Sequence, residues 1–504
     1  MAFTIALFLS AEKNVIVYIG GSEKEQAALA GGVDCSDLTT QMKDETPEAP
    51  LAAAAPYARE FDTADTLRPQ IAVLGQAPFT TLVTNAGGGE TRFGAIAVTR
   101  WRSDPTLDDS GHWCYVNDLT SGRVWSAGFQ PTCVEPHWYK ARFDEDSVSF
   151  HRQDGEIETL MEIVVPPDEA LEIREVTLTN RSARDAEVEL TSCAEIVIAP
   201  FDADRGHPAF SNLFVQTEWI GETNTVLAMR RPRSADIDPV WCGQSLCLLD
   251  GSAADVSCET DRAKFIGRGR SYRNPIAMGN RGKLSGSTGS VLDPVFSLRA
   301  RLAIPAGGSK SVGFVTFMAS SRSDAMRFAS VTSNASRVND LIRAAHSRVN
   351  DDSGQPYQAL ACHLLFPRML SGRAGTGRND LEYFEISGEL PIVLATLESD
   401  EGTRGLEELL RIHRYWRAKG IRSDLVVVSN HSSQDLETMV TEFNDETTAM
   451  SDAAMFTHPG WVILEEMGSL DEMQLDSLRA AARIEVGCDG FDLHALLQRL
   501  ETGP

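Results

Sequence analysis

From Gln70 to about residue 320 the apolar positions come in short runs, each closed by Gly, Pro, Asn or Asp. Ile71-Ala-Val-Leu, Thr80-Thr-Leu-Val-Thr, Ala95-Ile-Ala-Val-Thr and Val124-Trp-Ser open the series. Val148-Ser-Phe-His-Arg and the runs 158–165, 171–179 and 187–198 continue it. In 171–179, Leu171, Ile173, Glu175, Thr177 and Thr179 point one way and Glu172, Arg174, Val176 and Leu178 the other. Both faces carry apolar residues, as in a strand held between two layers. Thr225-Val-Leu-Ala-Met-Arg, Ser245-Leu-Cys-Leu-Leu and the runs 295–304 and 311–318 complete the pattern. More than ten short strands without intervening helices predict a large antiparallel sandwich.

At Ser323 the period turns helical, through 323–331, 341–346 and 358–366, and a Gly-rich break follows at 371–377. Beyond it, strands at 391–397, 424–429, 461–464 and 483–486 alternate with helices at 405–419, 434–443 and 471–482. Gly420 ends the first of these helices. The alternation predicts a small α/β layer. Upstream, residues 1–43 have no clear period, and the Pro/Ala/acid stretch from Asp44 reads as a linker. The expected division is 1–69 extension and linker, 70–322 sandwich, 323–384 linker helices and 385–504 α/β unit. The fold class is mainly β with an α+β tail.

The formal net charge of -26 sets the acidic surface against nucleic acid and anionic lipid, but not against a neutral polyol. Nine scattered cysteines, an odd number with no C-x-x-C, form neither a disulfide framework nor a zinc site. Reduced thiols and a cytoplasmic location follow. The apolar opening reads as a buried strand. It stops at Glu12-Lys13, short of the roughly 20 residues of a membrane span, and it lacks the positive n-region of a signal peptide.

No P-loop, H-E-x-x-H, G-x-S-x-G or dinucleotide turn is present. Asn85-Ala-Gly-Gly-Gly-Glu sits between two strands and reads as a tight loop. No carboxylate is singled out as a glycosidase acid, so no catalytic residue, cofactor or metal is predicted. The richest segments are loops: Thr99-Arg-Trp-Arg-Ser-Asp-Pro-Thr-Leu-Asp-Asp, 205–214, Met229-Arg-Arg-Pro-Arg-Ser and Phe265-Ile-Gly-Arg-Gly-Arg-Ser-Tyr. Aromatic rings that stack on sugar faces, with Arg and Asp bonding hydroxyls, are what glycan recognition needs. The candidate carbohydrate contacts are Trp101, Arg102, His207, Phe210, Arg230, Arg233, Arg268 and Arg270, which the loops of a sandwich can gather. In the competing reading Arg102 pairs with Asp104, Asp108 and Asp109 and merely knits loops together. An epimerase would need a His beside a carboxylate, for which His151 and His207 are the candidates.

The same segments carry a resemblance. Val83-Thr-Asn-Ala-Gly-Gly-Gly, Ala97-Val-Thr-Arg-Trp-Arg-Ser-Asp-Pro-Thr, His207-Pro-Ala-Phe-Ser-Asn-Leu-Phe, Arg230-Arg-Pro-Arg-Ser and Phe265-Ile-Gly-Arg-Gly-Arg come first. Leu292-Asp-Pro-Val and Ile386-Ser-Gly-Glu-Leu-Pro-Ile-Val follow in order. Over residues 70 to 490 the chain resembles the first family 94-associated (glycosyltransferase 36-associated) sandwich module of cyclic β-1,2-glucan synthases. The resemblance implies a galactose-mutarotase-like supersandwich. It departs at Glu90-Thr-Arg-Phe, where the family has an aromatic stretch, and at Glu385, where it has Gly. The family's catalytic barrel of twelve helices does not fit in the residues beyond Ala345. The implied role is therefore a non-catalytic β-1,2-glucan-binding or scaffolding module. Its partners would be β-1,2-glucan or a related oligosaccharide and other modules of an inner-membrane synthase. A mutarotase-like epimerase and an inert remnant of a split synthase gene are the alternatives.

Overall fold

Residues 6–9, 15–18, 58–232, 234, 239–252, 254–279, 281–347, 354–367, 381–384, 386, 388, 390–430, 433–450 and 460–502 are described by a computed structural model. The chain divides into two units, Met1–Ala55 and Pro56–Pro504. In the first, β1 (Ala6–Leu9), within the apolar opening, pairs antiparallel with β2 (Val15–Tyr18), beyond Glu12-Lys13.

The second unit begins with β3 (Arg59–Phe61), β4 (Ile71–Gln76), β5 (Phe79–Thr84), β6 (Gly89–Phe93), β7 (Ile96–Thr99), β8 (His112–Asp118) and β9 (Val124–Ser126). A meander follows: β10 (Trp138–Phe143), β11 (Ser147–Asp154), β12 (Ile157–Val164) and β13 (Leu171–Asn180), then the long β14 (Ala186–Pro200). Two short helices, α1 (Phe201–Gly206) and α2 (Pro208–Asn212), precede β15 (Val215–Ile220), β16 (Thr225–Arg230), β17 (Val240–Leu248) and β18 (Val256–Cys258). After α3 (Arg262–Ile266) and α4 (Ile276–Gly279) come β19 (Val295–Phe296), β20 (Leu298–Ile304) and β21 (Ser309–Ala319).

One antiparallel sheet of nine strands runs β15-β16-β17-β21-β13-β12-β11-β10-β3. The facing sheet of ten runs β18-β20-β14-β7-β6-β5-β4, with β8 and β19 on β14 and β9 on β8. The two-sided pattern of β13 is realised in space. Val176 and Leu178 enter the core between the sheets. Leu171 and Ile173 pack outward with Phe328 and Val338, which belong to α5 (Arg322–Thr332) and α6 (Ala335–His346).

Charge is also buried between the sheets, fully paired. Glu172 accepts from Thr81 and Thr91 at 2.7 Å each and from Arg174 at 2.9 Å, and it lies 2.9 Å from His112 Nδ1. Gln244 Nε2 lies 3.0 Å from His112 Nε2 and binds from the opposite sheet. Burial and the charge of Arg174 push the His112 imidazole down to about 4, despite Glu172. The ring is therefore neutral and ties one sheet to the other.

The edge strand β4 is covered rather than left open. From α7 (Gln355–Leu365), Gln358 Oε1 accepts from Val73 N at 2.7 Å and Cys362 Sγ from Ile71 N at 3.3 Å. The tail then alternates β22 (Ile392–Leu397), α8 (Thr403–Ala418), β23 (Asp424–Ser429), α9 (Gln434–Met450), β24 (Val462–Glu466), α10 (Glu472–Ala481), β25 (Ala482–Gly487) and α11 (Leu493–Thr502). Its parallel sheet runs β24-β23-β22-β25, so strand order reverses at β22. Ile71, Val73, Leu82 and Trp101 of the sandwich share one cluster with Leu360, Leu406, Leu409 and Val427 of the tail.

The structure departs from the sequence pattern at several elements, among them strands β3, β6, β10, β15 and β18, which the pattern did not mark. The sandwich carries four short helices, α1 to α4, too short to show a period. β8 holds His, Cys and Asn among its aromatics and is buried at six of seven positions, so it shows no alternation. The last helix, α11, follows a strand that the pattern left as the end. Among the described residues no helix is long and apolar enough to cross a membrane.

Candidate functional site

The antiparallel pairing of β7 with the second half of β14 places Arg100, one residue beyond β7, beside Glu195, and Arg100 N donates to Glu195 O at 3.2 Å. The Arg100 guanidinium reaches three partners. It forks onto Asp204 of α1 at 3.1 and 2.7 Å, donates to Asn212 Oδ1 of α2 at 3.0 Å, and pairs with Glu195. Glu195 Oε1 also accepts from Arg262 at 3.0 Å and from the Tyr272 hydroxyl at 2.8 Å. Asn212 Nδ2 donates to Asp293 at 2.9 Å. Directly, or through Glu195 and Asn212, the guanidinium thus ties four chain segments, 100–102, 195–212, 262–272 and 293, into a single frame.

Electrostatics hold that frame ionised. Burial works to raise the Asp204 carboxyl, but the hydrogen bonds and charges of Arg100 and Arg102 outweigh it and hold the group below its ordinary range. Burial works to lower the Arg100 guanidinium, and Asp204 and Glu195 reverse that. Among the described residues no group of His, Cys, Asp and Glu is arranged to hold a metal ion.

The eight candidates fall unevenly on this frame. Arg102 is bound to it: its Nη2 donates to Asp204 at 2.8 Å and its side chain is 35% exposed. Two of the three carboxylates expected for it are engaged elsewhere. Asp104 accepts from the backbone of Thr106 and Leu107, and Asp108 from the Thr84 hydroxyl. Phe210 is 52% exposed on α2, edge-on to Phe214 at 5.3 Å. Arg230, at the end of β16, stands 5.2 Å over the Phe214 ring and donates to Ser211 O at 2.9 Å. His207 is exposed at the junction of α1 and α2. Arg268 and Arg270 lie on the exposed turn after α3, where Arg270 donates to Asn274 O at 3.2 Å. Arg233 lies outside the described residues.

Trp101 corrects the expectation of an exposed ring. It is 5% exposed and packs edge-on against Phe366 at 6.1 Å, in the cluster shared by sandwich and tail. In Arg100-Trp101-Arg102 successive side chains point to opposite sides, so the ring turns into the core while both arginines turn toward Asp204. The residues that the pattern did not single out are Arg100, Glu195, Asp204, Arg262 and Tyr272. Their only signal in sequence is that Arg100 shares the register of Arg102.

The epimerase candidates form no open pair at this frame. Among the described residues His207 makes no ion pair. His151 lies 2.5 Å from Glu158, on β11 and β12, and Glu158 also binds Arg181. The His112–Glu172 pair is sealed between the sheets, with both side chains 1% exposed or less.

Residues 55–335 match the family model for the glycosyl hydrolase 94 supersandwich domain. The chain is 31% identical, over 80% of its length, to the cyclic beta-(1,2)-glucan synthase NdvB of Rhizobium meliloti (strain 1021), of which it covers 16%. It is 23% identical, over 46% of its length, to an N,N'-diacetylchitobiose phosphorylase of Vibrio proteolyticus, of which it covers 29%. It therefore spans less than a third of either relative. Among solved structures it is similar to a galactose mutarotase related enzyme from Lactobacillus acidophilus. That likeness has 8% identity and a TM-score of 0.25, and covers 50% of this chain and 99% of that one; it is too distant to bear on function. The two antiparallel sheets, and the family model that spans them, identify the chain as a member of the glycosyl hydrolase 94 supersandwich family.

Proposed function

We propose that this chain is a non-catalytic carbohydrate-recognition module that binds β-1,2-glucan or a related oligosaccharide alongside other modules of a glucan synthase. The observation that carries the reading is the frame around Arg100. It holds four segments rigid and leaves Phe210, Arg102, His207 and Arg230 on or near its surface. An exposed ring offers an apolar face to a pyranose, and guanidinium groups fixed at its margin bond vicinal hydroxyls. Arg268 and Arg270 add exposed positive charge on the turn after α3. Trp101 takes a structural role instead, behind the surface.

The acidic surface suits a neutral ligand, and the similarity to a glucan synthase supplies the sugar class. The cysteines, free among the described residues, support a cytoplasmic place beside such a synthase. The test is equilibrium dialysis of linear β-1,2-glucan oligosaccharides against the purified chain, paired with a phosphorolysis assay. Retention of the glucan without release of glucose 1-phosphate is the expected result. Turnover that disappears on replacing a single Asp or Glu would refute the non-catalytic role.

A further inference from the structure

We propose that the α/β tail carries a second saccharide site, a cavity of about 490 Å³ between α8 and the turn that follows β25. That volume lies within the range of small-molecule sites. The cavity adjoins the carboxyl ends of β22 and β25, the neighbouring strands at which the sheet order reverses, and open α/β sheets characteristically take their ligands there.

Its walls are set before any ligand arrives. A Cβ at Gly405 would run into Cys488 O and lie 2.8 Å from Phe491 Cβ, and one at Gly402 would meet Leu397 and lie 2.8 Å from Asp489 Oδ2. Gly405 on α8 and Gly402 just ahead of it therefore let the 488–491 turn press directly onto the start of the helix. Asp489 fastens it there, accepting from Glu398 N at 2.7 Å and from the Ser399 hydroxyl.

The chemistry of the lining selects a neutral polyol. Glu401, Arg404, Glu407, Glu408 and Arg411 line one side and Phe491 the other. Among the described residues Glu401, Arg404 and Glu407 make no ion pair, while Glu408 is held by Tyr357 at 2.8 Å and by Arg411. Three carboxylates against two guanidinium groups disfavour a phosphate. The amide and hydroxyl ahead of α8 that would greet an anion already hold Asp489. A sugar's hydroxyls, in contrast, donate to carboxylates and accept from Arg404, while its C–H face meets the half-buried Phe491 ring.

The choice of a β-1,2-linked sugar rests on the proposed function, so the test separates the two. The β-1,2-linked glucose disaccharide is titrated calorimetrically into the full chain and into Phe210→Ala/Arg230→Ala. Binding that persists in the double variant and weakens tenfold or more on adding Arg404→Ala or Glu401→Gln is the expected result. These two positions are exposed, so the fold is retained. Loss of all binding in the double variant overturns the second site and leaves the first standing. Residual binding indifferent to Arg404→Ala and Glu401→Gln also overturns it. Binding untouched by Phe210→Ala/Arg230→Ala but lost with Arg404→Ala refutes the first site alone. Competition by inorganic phosphate at this cavity overturns the neutral ligand class, and no binding by any form overturns both sites.

Discussion

Arg100 and Asp204 face each other as a fork, with Nη2 to Oδ1 at 2.7 Å and Nε to Oδ2 at 3.1 Å, although 104 residues separate them. The Asp204 side chain is 1% exposed and that of Arg100 is 17% exposed, so water screens the pair poorly. The consequence is mechanical. α1 and α2 are too short to stand alone, and they keep their place on β14 because this pair nails them to the end of β7.

Truncating one partner leaves the other charge uncompensated. Asp204→Ala should destabilise the protein by about 3 kcal/mol, at the lower end for a buried pair because Arg100 retains some water and Glu195. Chemical denaturation measures this. A loss below about 1 kcal/mol would show that α1 is held by something other than the fork.

Arg102 offers a direct choice between partners. A double-mutant cycle on Arg102 and Asp204 should show coupling, whereas one on Arg102 and Asp104 should be additive within about 0.5 kcal/mol. Coupling to Asp104 instead would restore the local pairing that the sequence suggested.

Trp101→Ala should cost about 3–5 kcal/mol of stability, as for other buried large-to-small changes. At a temperature where the variant remains folded, glucan affinity should be unchanged. Loss of affinity with intact stability would return Trp101 to the binding surface.

Asp108 predicts a pH dependence. Burial, with help from Asp109 and Asp104 and against the Thr84 hydrogen bond, pushes its carboxyl from 3.8 up to about 7. The folded state therefore holds this proton more tightly than the unfolded chain does. Its contribution to stability is complete below pH 3.8 and is lost as pH rises through about 7. Asp108→Asn should remove that decline, so its advantage over the parent grows between pH 5 and pH 8 in denaturant midpoints. An advantage that does not vary with pH would contradict the assignment.

Much of the architecture was legible because it follows from local pattern. The change at Ser323 marks where sheet gives way to α5, whose cap, Ser321, accepts from Asp324 N. The parallel tail was readable from alternating strands and helices. The site was legible only in its loops. Arg100 and Arg102 are alike in sequence, and only the pairing of β7 with β14 brings Asp204 to both. Trp101 was misread because an aromatic in a polar loop looks exposed until the tail, more than 250 residues on, is packed against it. β8 gives no strand signal because His112, Cys114 and Asn117 interrupt its apolar run, although six of its seven positions are buried.

The central claim is that the surface over the Arg100 frame binds a glucan, and calorimetric titration of linear β-1,2-glucan into the parent and into Phe210→Ala tests it most directly. The parent should bind, and the part of that binding that belongs to this surface should weaken by about 1–3 kcal/mol in the variant, the value of a large side chain removed from a contact. No binding by the parent, or the same affinity in both proteins, would contradict it.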